Sequence, residues 1–585
     1  MSRAASQGSA LVLGNDTRSF LAVIRSLGRR GVSVDVAWCD RKCPSVRSRY
    51  VRKFHDIPRF AANSDAWKKR LLEVLEAERF DLVIPCVDPA IIPLQMHRKD
   101  FEAVASIRLL DDETFRVTSN KRETTGLAKS LGIPVPSEVE LTSRGQLDRA
   151  LPTIPLPLVL KPLRSFTPDN LSHHHDVRKA FSAEEARQIA HEMLASGPVL
   201  LQENFIGRGH GVEVIADQGR ILSAFQHLRL HEPVHGGAAS YRVSVPLNPD
   251  LYEATTKLIA SLKYTGVAML EFKVNPGTGK WVFLEINARF WGSLPLAVAA
   301  GIDFPWYLYE LSVNGKKEFN RTYRVGLFCR DWFDDIDWFR SNLAADRTDP
   351  YLHTVPLPKV FAEFLNILAL RERSDTLALD DPKPFLAEAT TWMGHKYRGL
   401  ARKIGMWVKS QHAVKALIRR KIVRELCRES SILFVCTGNI YRSPFAQTAT
   451  QLLSPDLHAL STGILSNTGR RCPENAIAAA RVAGIDLTNH ISTQVTQDLI
   501  RKAGVVLVFD TIAYEYLREA FPSARRKFHF LGAFLDDRQV IIEDPMGSDI
   551  DVIERSFRTI ESALVRMKEA YEEARSAERA KVAHT

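Results

Sequence analysis

Val435-Cys436-Thr437-Gly438-Asn439-Ile440-Tyr441-Arg442-Ser443 closes a short apolar run that begins at Ser431 and opens a helical pattern. Strand, short loop and helix in that order make a phosphate cradle. Backbone N–H groups of the loop converge on an oxyanion at the helix N-terminus, and an arginine fork adds two parallel bonds. Cys436 and Arg442 enclose five residues of such a loop. A helix N-terminus and a guanidinium both favour thiolate over thiol, so Cys436 reads as a nucleophile. A buried core cysteine is the plain alternative, and only the surrounding sequence separates the two.

About a hundred residues on, Glu543-Asp544-Pro545-Met546-Gly547 places an acid beside a proline, just after Ile541-Ile542. A thiolate that displaces an alkoxide or phenoxide needs a carboxyl group to protonate what leaves. Alone, Asp-Pro is a common turn. Together with Ser461-Thr462-Gly463, Gly484 to His490 and Val505 to Asp510, these residues resemble the low-molecular-weight protein tyrosine phosphatase family over about residues 430 to 572. The resemblance implies a cysteinyl-phosphate intermediate formed on Cys436 without a metal. Arg442 would bind the phosphate, Asp544 act as general acid, Asn439 hold the loop in shape and Ser443 hydrogen-bond the sulfur. Two departures stand out. Tyr441 occupies the position where many members carry a second, disulfide-forming cysteine. Met546 and the aromatic-free stretch from Ile464 to Thr468 replace the aromatic walls of the substrate slot. An arsenate reductase is the third reading of the same loop, but its later cysteine pair is missing, because only Cys472 follows Cys436.

The N-terminal part reads differently. Ala10 to Gly14, a helix from about Ser19, Val32 to Ala37 and Phe80 to Pro85 form a nucleotide-type α/β half, without the G-x-G-x-x-G of a dinucleotide site. Further on, Asn120-Lys121 opens a helix and Pro157 to Lys161 is a strand ending in a lysine flanked by apolar residues and proline, placed for a triphosphate. Val199 to Gly207 leads into a hinge. Alternation puts Glu285 and Asn287 on one strand face, and Glu271 fits the antiparallel neighbour, so three oxygen ligands suited to magnesium converge.

The ordered set Lys121, Lys161, Gln202, Glu203, Glu271, Glu285, Asn287 and Arg289 resembles the ATP-grasp superfamily over about residues 1 to 315, particularly its carbamoyl-phosphate-synthase-like carboligases. The resemblance implies ATP-dependent activation of a small carboxylate as an acyl phosphate, captured by an amine or another nucleophile. Lys121 and Lys161 would hold phosphates, Gln202 and Glu203 the nucleoside, Glu271, Glu285 and Asn287 Mg2+, and Arg289 the charge on the transferred group. Arg164 to Thr167 replaces the usual glycine-rich flap, with a histidine run at 173–175 beyond it. The loop from His235 to Tyr241 is the better candidate to close over substrate.

At 585 residues the chain exceeds one core. The expected fold class is α/β multidomain: an N-terminal α/β domain (1–115), an ATP-grasp domain with two α+β lobes (116–315), a helical extension and basic linker (316–428) and a doubly wound parallel-sheet phosphatase domain (429–575). Seven cysteines without CxxC pairs argue against a disulfide framework or structural zinc, and no signal-peptide core or apolar span is evident, so the expected location is a reducing cytoplasm. The net charge of +11 is concentrated rather than spread: residues 391–430 hold eleven Lys and Arg against two Glu, a net of +9. Nucleic acid is therefore not indicated as a partner. The apolar residues of that segment recur at helical spacing, which fits a packed helix with a solvated basic face or contact with an anionic membrane surface. The expected partners are ATP with a small carboxylate, and a phosphotyrosine protein or small phosphoester. The alternative is a regulatory phosphatase with a nucleotide-sensing ATP-grasp module.

Overall fold

The computed structural model describes residues 8–167, 171, 176–233, 237–345 and 354–582, and it divides into two compact units, Met1–Met393 and Gly394–Thr585. The histidine run at 173–175 and the start of the His235 loop lie outside the described residues.

The first unit opens with a parallel sheet of β1 (Ser9–Leu13), β2 (Ser33–Ala37), β3 (Val51–Phe54) and β4 (Leu82–Pro85), in the order β3-β2-β1-β4. Ala10 to Leu13 and Leu82 to Ile84 are buried, the continuous apolar runs expected of strands covered on both faces. A second sheet joins β5 (Glu138–Leu141), β6 (Leu158–Pro162), β7 (Arg178–Ala180) and β8 (Val199–Glu203) in the order β5-β8-β6-β7, all antiparallel. The third sheet has seven strands: β9 (Arg208–Asp217), β10 (Arg220–His231), β11 (Tyr241–Ser244), β12 (Gly266–Val274), β13 (Trp281–Asn287), β14 (Phe328–Arg330) and β15 (Glu372–Ser374), ordered β13-β12-β9-β10-β11-β14-β15.

The last two strands correct the expectation of a purely helical extension after residue 315. Three-residue strands are too short to show a period of two, and β14 and β15 are fixed instead by tertiary charge pairs. Arg330 on β14 lies between Asp335 and Glu372, and Arg242 on β11 is paired with Asp375. Tyr241, expected in a closing loop, is buried at the start of β11 with its hydroxyl on Glu372 at 2.9 Å.

The second unit carries a four-stranded parallel sheet of β16 (Ser431–Cys436), β17 (His458–Gly463), β18 (Val505–Val508) and β19 (Phe528–Phe530), ordered β17-β16-β18-β19. The chain leaves β16 to one side for β17 and crosses to the other side for β18. Ligands bind outside the carboxyl ends of strands at such a reversal, and Cys436 is the last residue of β16. The helix His412–Arg428 buries Ile422, Val423 and Leu426 against this domain, and three of its six basic residues donate to backbone carbonyls. Lys415 donates to the carbonyls of Asp537 and Gln539, Arg419 to those of Ala533 and Leu535, and Lys421 to that of Arg526. The spacing of this half of the linker therefore records packing. The long helix Lys383–Ser410 leaves Ile404 and Trp407 exposed. Among the described residues no helix is long and apolar enough to cross a membrane.

Candidate active sites

Cys436 ends β16, and Arg442 begins the helix Arg442–Leu453, so the loop between them lies at the helix N-terminus. The backbone N–H of Asn439 donates to the Cys436 sulfur at 3.2 Å, and the Ser443 hydroxyl lies 3.0 Å from it. Asn439 has φ +54°, a left-handed conformation that a non-glycine residue adopts only when its surroundings hold it there. They do. Its buried amide donates to Ser443 and Ser461, each at 3.0 Å, and accepts from the Thr493 N–H at 2.8 Å. Its carbonyl lies 2.9 Å from His490 Nε2, and loss of hydration on burial pulls that imidazole below its ordinary value.

Arg442 is fully buried. One terminal nitrogen reaches the Ile542 carbonyl at 2.9 Å and Asp510 at 2.7 Å, and the other reaches Asp544 at 2.5 Å. The guanidinium also lies 5.6 Å from the Phe509 ring centroid. Its Nε is buried with no acceptor among the described residues. A donor enclosed without a partner costs about 1–3 kcal/mol, and an oxyanion in the cradle would relieve that cost. Asp544 is exposed, as a group that meets a leaving oxygen must be, and Met546 beside it is also exposed, while Ile440 is buried. The structure thus brings Cys436, Asn439, Arg442, Ser443 and Asp544 together. It adds four residues that sequence reasoning had not assigned: Asp510, Ser461, Thr493 and His490. Asp510 carried a legible signal, an acid directly after the apolar run of β18.

Residues 431–577 match the family described as low molecular weight phosphotyrosine protein phosphatase. A putative low molecular weight protein-tyrosine-phosphatase of Klebsiella pneumoniae is 32% identical over 134 residues, covering 23% of this chain and 92% of that protein. The chain belongs to the low-molecular-weight phosphotyrosine phosphatase family. The tyrosine phosphatase of Erwinia amylovora is similar in structure to 25% of this chain and 92% of its own, at 28% identity and a TM-score of 0.23. Residues 195–328 match a second family, described as ATP-grasp in the biosynthetic pathway with Ter operon. An L-amino acid ligase from Bacillus licheniformis is similar over 56% of this chain and 79% of its own, at 16% identity and a TM-score of 0.44. The phosphatase segment is thus joined in one chain to a module that matches the ATP-grasp family.

In that module, Glu271 and Glu285 are direct register partners across β12 and β13, and Asn287 pairs with Met269. The Asn287 amide donates to Glu271 at 3.0 Å, and Arg229 reaches the same carboxyl at 2.7 Å. The Glu285 carboxylate accepts no hydrogen bond and makes no ion pair among the described residues. Desolvation, its largest influence, pushes Glu285 up, but Lys121, Lys161, Arg229 and Arg289 together hold it below the usual carboxylate range. An ionised, unengaged carboxylate beside a second one fits magnesium, which takes one or two carboxylates.

Lys161, on β6, is pulled below its ordinary value by burial, with Glu285 opposing. Lys121 starts the helix Lys121–Ser130, capped by Asn120, and donates to Ser165 in the loop after β6 at 2.9 Å. Gln202 faces the same side of the sheet as Lys161, is buried, and donates to Glu138 at 3.0 Å. Glu203 accepts from the Ser137 N–H at 3.2 Å at the hinge. Arg289 pairs with Asp88 at 2.9 Å, a partner 201 residues away that no local pattern announces.

Proposed function

We propose that the chain is a bifunctional enzyme: an ATP- and magnesium-dependent carboxylate ligase joined to a phosphomonoester phosphatase that works through a phosphorylated cysteine. The observation that carries the phosphatase reading is the Cys436 sulfur, held by the Asn439 N–H and the Ser443 hydroxyl beside a buried Arg442 whose Nε lacks an acceptor among the described residues. The thiolate attacks phosphorus, the S–P bond forms and the ester P–O bond breaks. Asp544 protonates the departing oxygen, and water then cleaves the S–P bond, with the same carboxylate taking the proton. Exposed Met546 in place of an aromatic wall favours a broad range of phosphoesters over phosphotyrosine alone.

In the ligase half, Lys121 and Lys161 neutralise phosphates, Gln202 and Glu203 face the nucleoside, and Arg289, fixed by Asp88, steadies charge on the transferred group. Glu271, Glu285 and Asn287 would hold magnesium, which when bound neutralises charge on the phosphates. Seven unpaired cysteines fit work in a reducing, cytoplasmic compartment. Two variants test the pairing. Cys436→Ser should abolish p-nitrophenyl phosphate hydrolysis and leave ATP turnover intact, and Glu285→Gln should do the reverse. A nucleotide sensor would bind ATP without turning it over. Hydrolysis retained by Cys436→Ser would refute the phosphatase assignment.

A further inference from the structure

The segment from Leu357 to Arg373, which leads into β15, has an apolar outer face. Its two short helices, Leu357–Glu363 and Leu365–Leu368, and the residues that join and follow them present Phe361, Phe364, Leu365, Leu368 and Leu370, which are 41% to 79% exposed. Single exposed apolar residues are ordinary, but five large ones within ten consecutive residues are a concentration of apolar surface of the kind that marks a docking face.

The charges on this segment are sorted as strictly. Its exposed ionisable residues are Lys359, Arg371 and Arg373. Both of its acids are turned inward: Glu363 is buried against His231, and Glu372 is buried on Arg330 and the Tyr241 hydroxyl. What faces outward is therefore apolar and cationic, with the compensating carboxylates held inside the fold.

We propose that this face docks on an anionic lipid surface. Apolar side chains entering the headgroup boundary, flanked by cations that meet lipid phosphates, are the two components of interfacial binding. The sorting of charge decides against a second copy of the chain. A twofold interface pairs this face with itself, so it would bring two sets of Lys359, Arg371 and Arg373 into one interface with no exposed acid in the segment to answer them. Arg371 and Arg373 stay exposed while each donates to nearby backbone carbonyls, Arg371 to Gly326 and Arg373 to Leu370 and Glu372.

The test is co-sedimentation of the full-length protein with phosphatidylcholine vesicles with and without phosphatidylglycerol. Binding should require phosphatidylglycerol and weaken sharply between low and physiological salt. The double substitution Leu365→Glu and Leu368→Glu lies on the exposed face and should reduce binding more than tenfold while leaving p-nitrophenyl phosphate hydrolysis unchanged. Lys359→Glu should reduce it by about fivefold, and Trp407→Glu in the linker helix should change it little. Absence of binding to anionic vesicles at low salt would overturn the proposal, as would equal binding by the double variant or loss of binding with Trp407→Glu alone. A concentration-dependent dimer that the double variant abolishes would assign the face to a second copy and overturn it equally.

Discussion

Replacing Asn439 with alanine tests whether the cradle is held by its own second layer. Three hydrogen bonds of 3.0 Å or less join the side chain to Ser443, Ser461 and the Thr493 N–H, with a long fourth at 3.5 Å from the Thr493 hydroxyl, at a residue with no exposed surface. At about 1 kcal/mol each, their loss costs the loop about 3 kcal/mol. Alanine also lacks the local hydrogen bonding that lets asparagine rest at φ +54°, which adds about 1–2 kcal/mol. If the cradle depends on that geometry, kcat/KM for p-nitrophenyl phosphate should fall by about 10²–10³ in Asn439→Ala, with KM for substrate and Ki for phosphate both rising. Asn439→Gly separates the two contributions. It loses the same three bonds but accepts the left-handed backbone freely, so it should be about five- to tenfold better than the alanine variant. Wild-type activity in Asn439→Ala, or a glycine variant no better than alanine, would refute the account of how the loop is held.

Asp544→Asn keeps the nucleophile and the buried arginine, so hydrolysis of esters with poor leaving groups should drop by about 10²–10⁴ while activated aryl phosphates lose far less; equal losses would place the acid elsewhere. Glu388 in the first unit accepts from Thr17 at 2.7 Å, and burial pushes its carboxyl up to about 7 from an ordinary value of 4.5. The native state therefore holds a proton that the unfolded chain releases between those values. The resulting stability is fully present below pH 4.5 and is lost as pH rises through about 7. It amounts to at most about 3 kcal/mol. Glu388→Gln should flatten the decline in Tm of that unit between pH 5 and 8, and an unchanged slope would contradict the shift.

The phosphatase centre was legible because its chemistry is contiguous: a thiol, a loop and an arginine must follow one another to wrap one phosphate. The residues that hold it were not, since Ser461, Thr493 and His490 act on Asn439 from 22 to 54 positions away. The pairing of Glu271 with Glu285 was legible for a different reason. Strand alternation and an antiparallel return place Glu271 opposite Glu285 in register. Asp88, which fixes Arg289, announces itself in no periodic pattern, and β14 and β15 are too short to show one. Charge gave a mixed lesson. The +9 segment left a packed helix and an anionic surface both open, and the helix His412–Arg428 uses several of those cations on carbonyls of its own domain, as a packed helix does.

The central claim is that Cys436 becomes covalently phosphorylated during turnover. Rapid acid quench of the full-length protein with a phosphoester substrate, followed by peptide mass spectrometry, reads this directly. The account predicts one added phosphoryl group on the peptide containing Cys436, appearing within the first turnover and absent in Cys436→Ser. No adduct under conditions of active hydrolysis, or an adduct on any other residue, would contradict it.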